Sequence, residues 1–113
     1  MTEFVKEINA EETMKNIGSY PIGISLMLPK TKFRLVLLRD VRNAIANIIK
    51  QEMLSLGGDA AVNKGCVNCT VEKSDVLVMG TIKQINGLIR KMKSQVSESK
   101  DIASDIEKVI KGE

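Results

Sequence analysis

Few residues in this 113-residue sequence have the types and spacing that chemistry needs. Cys66-Val67-Asn68-Cys69 forms a C-x-x-C pair. At the start of a thioredoxin-like helix two such sulfurs can meet. With a second pair, or with histidines, they could hold structural zinc. The sequence has no histidine and only these two cysteines, so one chain cannot assemble the usual tetrad. Residues Cys66 to Val71 also alternate, with Val67, Cys69 and Val71 set against Cys66, Asn68 and Thr70. That alternation predicts a half-buried strand, on which positions i and i+3 point to opposite faces. Neither a disulfide nor a chelate is then expected. The missing histidines also remove Ser-His-Asp and Cys-His nucleophilic sets. No spacing singles out a carboxylate pair. The expectation is a noncatalytic chain with no cofactor and no metal.

A second candidate is Gly80-Thr81, at a predicted junction between strand and helix. A helix start presents free N–H groups that attract anions. Neither a G-x-x-x-x-G-K-[ST] nor a G-x-G-x-x-G pattern accompanies it, so a phosphate loop is not implied. The third candidate is Glu52. At 3.6 residues per turn it projects toward the centre of an apolar helical stripe formed by Val41, Ile45, Ile48, Ile49 and Leu56. An ionised, unpaired carboxylate costs several kcal/mol, roughly, when buried. Glu52 therefore either reaches solvent, accepts N–H bonds from a neighbouring turn, or faces a ligand. The expected donors are the N–H groups at Gly80-Thr81.

The elements that must position these residues follow from local signals. Glu3 to Ile8 is a strand candidate, and Asn9 with Glu12 has capping-box spacing ahead of a short helix closed by Gly18. Ser19 to Gly23 is expected as a loop and Ile24 to Leu28 as a strand stopped by Pro29. Phe33 to Leu38 is apolar on both sides, the pattern of an interior strand. A long helix is expected from about Asp40 to Leu56, stopped by Gly57-Gly58. Asp59 to Val62 is a short strand, and Asn63-Lys64-Gly65 a turn. Val76 to Met79 reads as a central strand. Thr81 and Gln84 form a capping box for a helix carrying Ile82, Ile85, Leu88, Ile89 and Met92. Ser97 or Ser99 caps a last helix with Ile102, Ile106, Val109 and Ile110.

Composition bounds the functional classes. Apolar residues make up 43% and charged residues 27%, ordinary for a folded domain. With only Phe4, Phe33 and Tyr20 as aromatics, stacking on single-stranded nucleic acid has little to work with. The net charge is +3, and the late cations Lys83, Arg90, Lys91 and Lys93 fit a solvated helix face. The opening MTEFVKEI carries acids and lacks the apolar core of a secretory leader. No apolar run approaches the ~20 residues of a membrane span. These features, with two cysteines, lead to the expectation of a cytoplasmic protein without membrane attachment.

Two stretches carry a family resemblance. Lys50 to Val62 reads KQEMLSLGGDAAV, and Asp75 to Gln84 reads DVLVMGTIKQ. With the helix that follows to Lys93 and Gln95, they resemble the N-terminal region ahead of the catalytic barrel in long dihydropteroate synthases of some bacteria and archaea. The resemblance runs from about Pro21 to Ile110. It is most specific at Lys50 to Met53, Gly57, Gly58, Ala60 to Val62, Met79 to Thr81 and Gln84. It departs from the family after Gln95, where Val96-Ser97-Glu98 replaces a Gln-Pro-Phe-Gly-like segment. The family's pterin-binding residues lie in the barrel, so none carries over. Residues Gly80 to Ile85 also show a fainter similarity to the small tRNA-binding subunit of the KEOPS complex, in a shared strand–Gly-Thr–helix design.

The resemblance implies a free-standing accessory or interaction module that acts with a pterin-binding barrel enzyme, or another protein partner, in folate or methanopterin biosynthesis. The alternative is a small-anion or RNA binder using the Gly80-Thr81 helix start and the late basic helix. Glu52, Gly57, Gly58, Gly80, Thr81 and Gln84 form the candidate partner or anion site. The expected architecture is one α/β domain over residues 1–113, a mixed sheet of four to six strands with about four helices.

Overall fold

The computed structural model describes residues 1–113. Its helices are α1 (Ala10–Ile17), α2 (Pro21–Met27), α3 (Asn43–Leu56), α4 (Ile82–Lys93) and α5 (Ser97–Lys111). Its strands are β1 (Phe33–Arg42), β2 (Asp59–Ala61) and β3 (Lys73–Thr81). Short 3-10 turns lie at Glu7–Asn9, Leu28–Lys30 and Lys64–Cys66. The class is α/β, as expected, but the sheet has three antiparallel strands in the order β1-β3-β2 rather than four to six in a mixed sheet. Three of the six predicted strands, at Glu3 to Ile8, Ile24 to Leu28 and Cys66 to Val71, are not strands, which accounts for the shortfall.

β3 holds the centre. Its residues Val76 and Val78 are fully buried, and they join Val36 of β1 and Ala60 of β2 on one side of the sheet. Helices α3, α4 and α5 supply the rest of that core through Ile45, Ile49, Met53, Ile85, Leu88, Met92 and Ile106. The other side of the sheet has no helix on it.

The α3 stripe differs from expectation and centres on Met53. The buried line is Ile45, Ile49 and Met53, with Ala46 beside it, while Ile48 and Leu56 are only partly buried. Val41 is buried from the end of β1 rather than from the helix. The helix also begins at Asn43, not Asp40. The strand is prolonged by a bulge between Leu38 and Val41, where Asp40 takes a φ of 53° and its N–H donates to the Asp75 carboxylate at 3.0 Å. An aspartate tolerates this left-handed conformation better than most residues. At the other end Gly57 adopts a φ of 92° and closes α3.

Residues Cys66 to Val71 do not form a strand. The Asn63 side chain accepts the Gly65 N–H at 2.8 Å, and the Thr70 N–H donates to the Gly65 carbonyl at 2.9 Å, curling the segment into turns. Asn43 and Asn47 of α3 donate to the Val71 and Cys66 carbonyls at 2.8 and 2.9 Å and pin the loop. Tertiary anchoring overrides an alternation of small residues.

The N-terminal third is a helical arm. Glu3 to Ile8 forms no strand, and a 3-10 turn at Glu7–Asn9 runs straight into α1. Asn9 therefore lacks the extended backbone of a cap, makes no side-chain cap, and instead accepts the Thr13 hydroxyl at its carbonyl, 2.7 Å away. The predicted loop and strand at Ser19 to Leu28 are helix α2. Pro21 sits in its first turn, where a missing N–H costs nothing. Helix α1 buries no residue and α2 buries only Ile24. The arm lengthens the molecule to 52 × 30 × 24 Å, with a radius of gyration of 16.4 Å. A globular chain of this length has a radius near ~13 Å. α5 starts without a serine cap: Val96 stands at that position, and Ser99 is buried within the first turn. No helix is long and apolar enough to cross a membrane.

Candidate functional site

The two distinctive stretches meet through Gln84. The Thr81 N–H donates to Gln84 Oε1 at 2.8 Å, and the Gln84 N–H donates to Thr81 Oγ1 at 3.2 Å, so the expected capping box forms. The box folds the Gln84 side chain over the glycines. A Cβ on Gly57 would stand 3.1 Å from Gln84 Nε2, and one on Gly80 would stand 3.0 Å from Gln84 Oε1. On Gly58 a Cβ would meet the Met79 carbonyl oxygen and the Met53 methyl, each at 2.6 Å. Gly57, Gly58, Gly80, Thr81 and Gln84 thus form one close-packed corner, filled by Met53. The glycines are there because backbone, amide and thioether occupy the space a side chain would need.

This corner leaves little for an anion. The Ile82 N–H at the start of α4 donates to the Lys32 carbonyl at 2.8 Å. The amides of Thr81 and Gln84 are taken by the capping box, so three of the helix-start donors already have protein partners.

Glu52 lies apart from the corner. Its donor comes from outside its own helix, as expected, but it is Lys91 of α4 rather than the amides of Gly80-Thr81. Lys91 Nζ is 2.9 Å from Glu52 Oε2 and donates to the Ser55 hydroxyl at 3.0 Å. One residue along a helix is a turn of 100°. That step takes Glu52 from the buried line held by Met53 to its flank, where a lysine can reach it from water.

The cysteines are both free thiols. Cys66 is buried and Cys69 is exposed, with a φ of 58°. No three His, Cys, Asp or Glu side chains cluster closely enough to hold a metal ion.

Two features escape a reading of the residues alone. The first is the uncovered side of the sheet. Phe33, Leu35 and Leu37 are 54%, 63% and 48% exposed, although their pattern is that of an interior strand. In register they lie against Thr81, Met79 and Leu77 of β3, and Ala61 of β2 continues the row beyond Leu77. β1 is therefore an edge strand with one apolar side bare. The second is a cleft of about 370 Å³ between the Leu28–Lys30 turn, α3 and α4, lined by Lys30, Leu56, Thr81, Lys83, Gln84, Gly87 and Arg90. The periodic signal for it was present, since Lys83, Gly87 and Arg90 share one side of α4. Lys30 joins them only through the fold.

Ion pairs fix the ends of the chain. Arg34 donates from Nε to Glu113 at 2.6 Å and from both terminal nitrogens to Glu7 at 3.0 and 3.3 Å. Those bonds hold the Glu7 and Glu113 carboxyls below the usual glutamate value and raise Arg34 above its own. Asp59 is likewise lowered, first by the Ala60 N–H and then by Lys50, which also donates to the Ala60 carbonyl and ties α3 to β2. No family model, curated protein or solved structure matches the chain.

Proposed function

We propose that this chain is a noncatalytic docking module whose partner is a barrel-type dihydropteroate synthase, acting in the cytoplasm in folate or methanopterin biosynthesis. The observation that carries the docking role is the bare side of β1. An apolar row of Phe33, Leu35 and Leu37 is left in water with no element of the chain over it, and the half-buried Leu77 and Met79 on β3 continue it. Contiguous exposed apolar surface of this kind marks interaction sites. The edge position of β1 adds unpaired backbone groups to the same surface. The identity of the partner rests on the resemblance at Lys50 to Val62 and Asp75 to Gln84.

The reading is tested by titrating a barrel-only dihydropteroate synthase from the same cell with the wild-type chain and with Leu35→Glu. Binding weakened roughly tenfold or more by the substitution is the expected result, since a charge at the centre of an apolar interface is poorly tolerated. No binding by the wild type removes the synthase as partner. Equal binding by Leu35→Glu removes the sheet face as the surface.

A further inference from the structure

We propose that the cleft between the Leu28–Lys30 turn and α4 is a binding site for a small organic phosphate carrying at least two negative charges. Three of its seven lining residues, Lys30, Lys83 and Arg90, are cations, and no acid lines it. None of the three pairs with a carboxylate or donates to another side chain. The other cations of α4 are compensated. Lys91, next to Arg90 in sequence, is closed off by Glu52 and Ser55, and Lys93 is closed off by Glu107. Three cations without an ion pair thus line one concavity, where low-dielectric walls focus the field on an incoming anion.

The shape of the cleft follows from α4. Lys83, Gly87 and Arg90 fall at positions i, i+4 and i+7, along one side of the helix. Gly87 keeps the middle of that side low, and the Leu56 side chain packs so closely that a Cβ on Gly87 would come within 2.9 Å of it. The two cations therefore flank a floor made by Gly87 and Leu56, while Lys30 approaches from the neighbouring turn. Thr81 and Gln84 supply polar groups at one end. Arginine offers a forked pair of donors to a phosphoryl group, and the lysines act as point charges beside it. A volume near 370 Å³ is the size of a small-ligand pocket and suits a diphosphate with a small body lying over Leu56. Three cations around one hollow do not form the extended track that an RNA backbone needs, and the chain's three aromatics give little for bases to stack on. The site lies among the helices and meets the bare side of the sheet only at Thr81, and it stands whether or not that side docks a partner.

The test is a calorimetric and amide-NMR titration of the full chain with pyrophosphate, with adenosine diphosphate, with inorganic phosphate and with a short single-stranded RNA. Adenosine diphosphate is expected to bind more tightly than inorganic phosphate, to move the amides of Lys83, Gln84, Gly87 and Arg90, and to weaken as salt rises. Arg90→Gln and Lys83→Gln are each expected to lose roughly tenfold in affinity. Both residues are exposed, so both variants should keep the wild-type denaturation midpoint. Leu35→Glu should bind the diphosphate unchanged. The proposal is overturned by no binding at millimolar diphosphate, or by affinity that survives Arg90→Gln and Lys83→Gln together. It is also overturned if RNA binds more tightly than any small phosphate and the loss spreads to Lys100 and Lys108.

Discussion

The two sides of the sheet carry nearly the same residue types and have opposite fates. On one side Val36, Val76 and Val78 are at most 5% exposed beneath three helices. On the other, Phe33, Leu35 and Leu37 stand in water. Composition cannot distinguish them, because both are rows of aliphatic or aromatic side chains on the same strands. The difference lies in what the rest of the chain has left to offer. α3, α4 and α5 direct their apolar stripes to one side, and α1 and α2 form an arm that covers neither. One side of the sheet thus belongs to folding, while the other is available to a partner.

The sharpest way to break this comparison is to truncate a side chain on each side. Met53→Ala opens a void beneath the covered side and removes the plug between Gly58 and Gly80. A loss of about 2–5 kcal/mol by chemical denaturation is expected. Leu35→Ala should stay within about 0.5 kcal/mol of wild type, because water already surrounds that side chain. Equal costs at the two positions would mean that Leu35 is buried in solution, by self-association or by the arm.

Inside the covered layer one group runs against the rule. Ser99 is fully buried in the first turn of α5, and its hydroxyl has no hydrogen-bond partner. Ser99→Ala should therefore stabilise the chain by about 1 kcal/mol, by removing an unsatisfied polar group without opening a void. A destabilised variant would show that the hydroxyl is satisfied, by water or a relaxed carbonyl, and that the layer is wetter than its packing implies.

Glu52 sits at the border of that layer, and its expected effect is smaller. The Lys91 pair links α3 to α4 across partly exposed surface, where such pairs contribute about 0.2–1 kcal/mol. Glu52→Ala and Lys91→Ala should each cost no more than that. The double variant should cost less than the sum of the two if the pair is formed. Strict additivity would put Glu52 back among the residues free to meet a ligand.

The parts of the fold that were legible in the sequence are those fixed by local chemistry. Gly57 needs its left-handed backbone, Thr81 and Gln84 bond each other within one turn, and β3 reads as an apolar run between turn signals. Patterns whose meaning depends on distant partners misled. Phe33 to Leu37 has the apolarity of an interior strand because a docking face has it too. Cys66 to Val71 alternates like a strand, yet the loop is held by Asn43 and Asn47 from a helix twenty residues earlier. Glu52 was misplaced by a single helical step, because Met53 was left out of the stripe. Of the candidate site, the Gly57, Gly58, Gly80, Thr81 and Gln84 corner was visible as two stretches. The cleft was not, since Lys30 reaches it only through the packing of the Leu28–Lys30 turn against α4.

The arm gives the comparison its last and smallest test, through pH. Arg34, at the start of β1, holds Glu7 at the foot of the arm and Glu113 beyond α5. Its hydrogen bonds lower both carboxyls from the usual 4.5. A carboxyl whose folded value is depressed contributes stability that is fully present above its unfolded value and is lost as pH falls through the folded one. The arm should therefore be anchored at neutral pH and loosen below about 4.5, the side on which Glu7 and Glu113 take up protons. Asp59 and Glu107 are lowered too, so the core also weakens in acid, and a global melting curve would blend the two. Residue-resolved amide exchange separates them. Protection in Ala10 to Ile17 should fall between pH 6 and pH 3 before that of Val76 and Val78 does. Arg34→Ala should show the weak, acid-like protection of the arm already at neutral pH, with the β3 amides unchanged. If the arm's exchange rate, corrected for the intrinsic effect of pH, is the same in acid and at neutrality, Arg34 does not anchor it. The arm's docking would then rest on Ile24 and the Leu28–Lys30 turn alone.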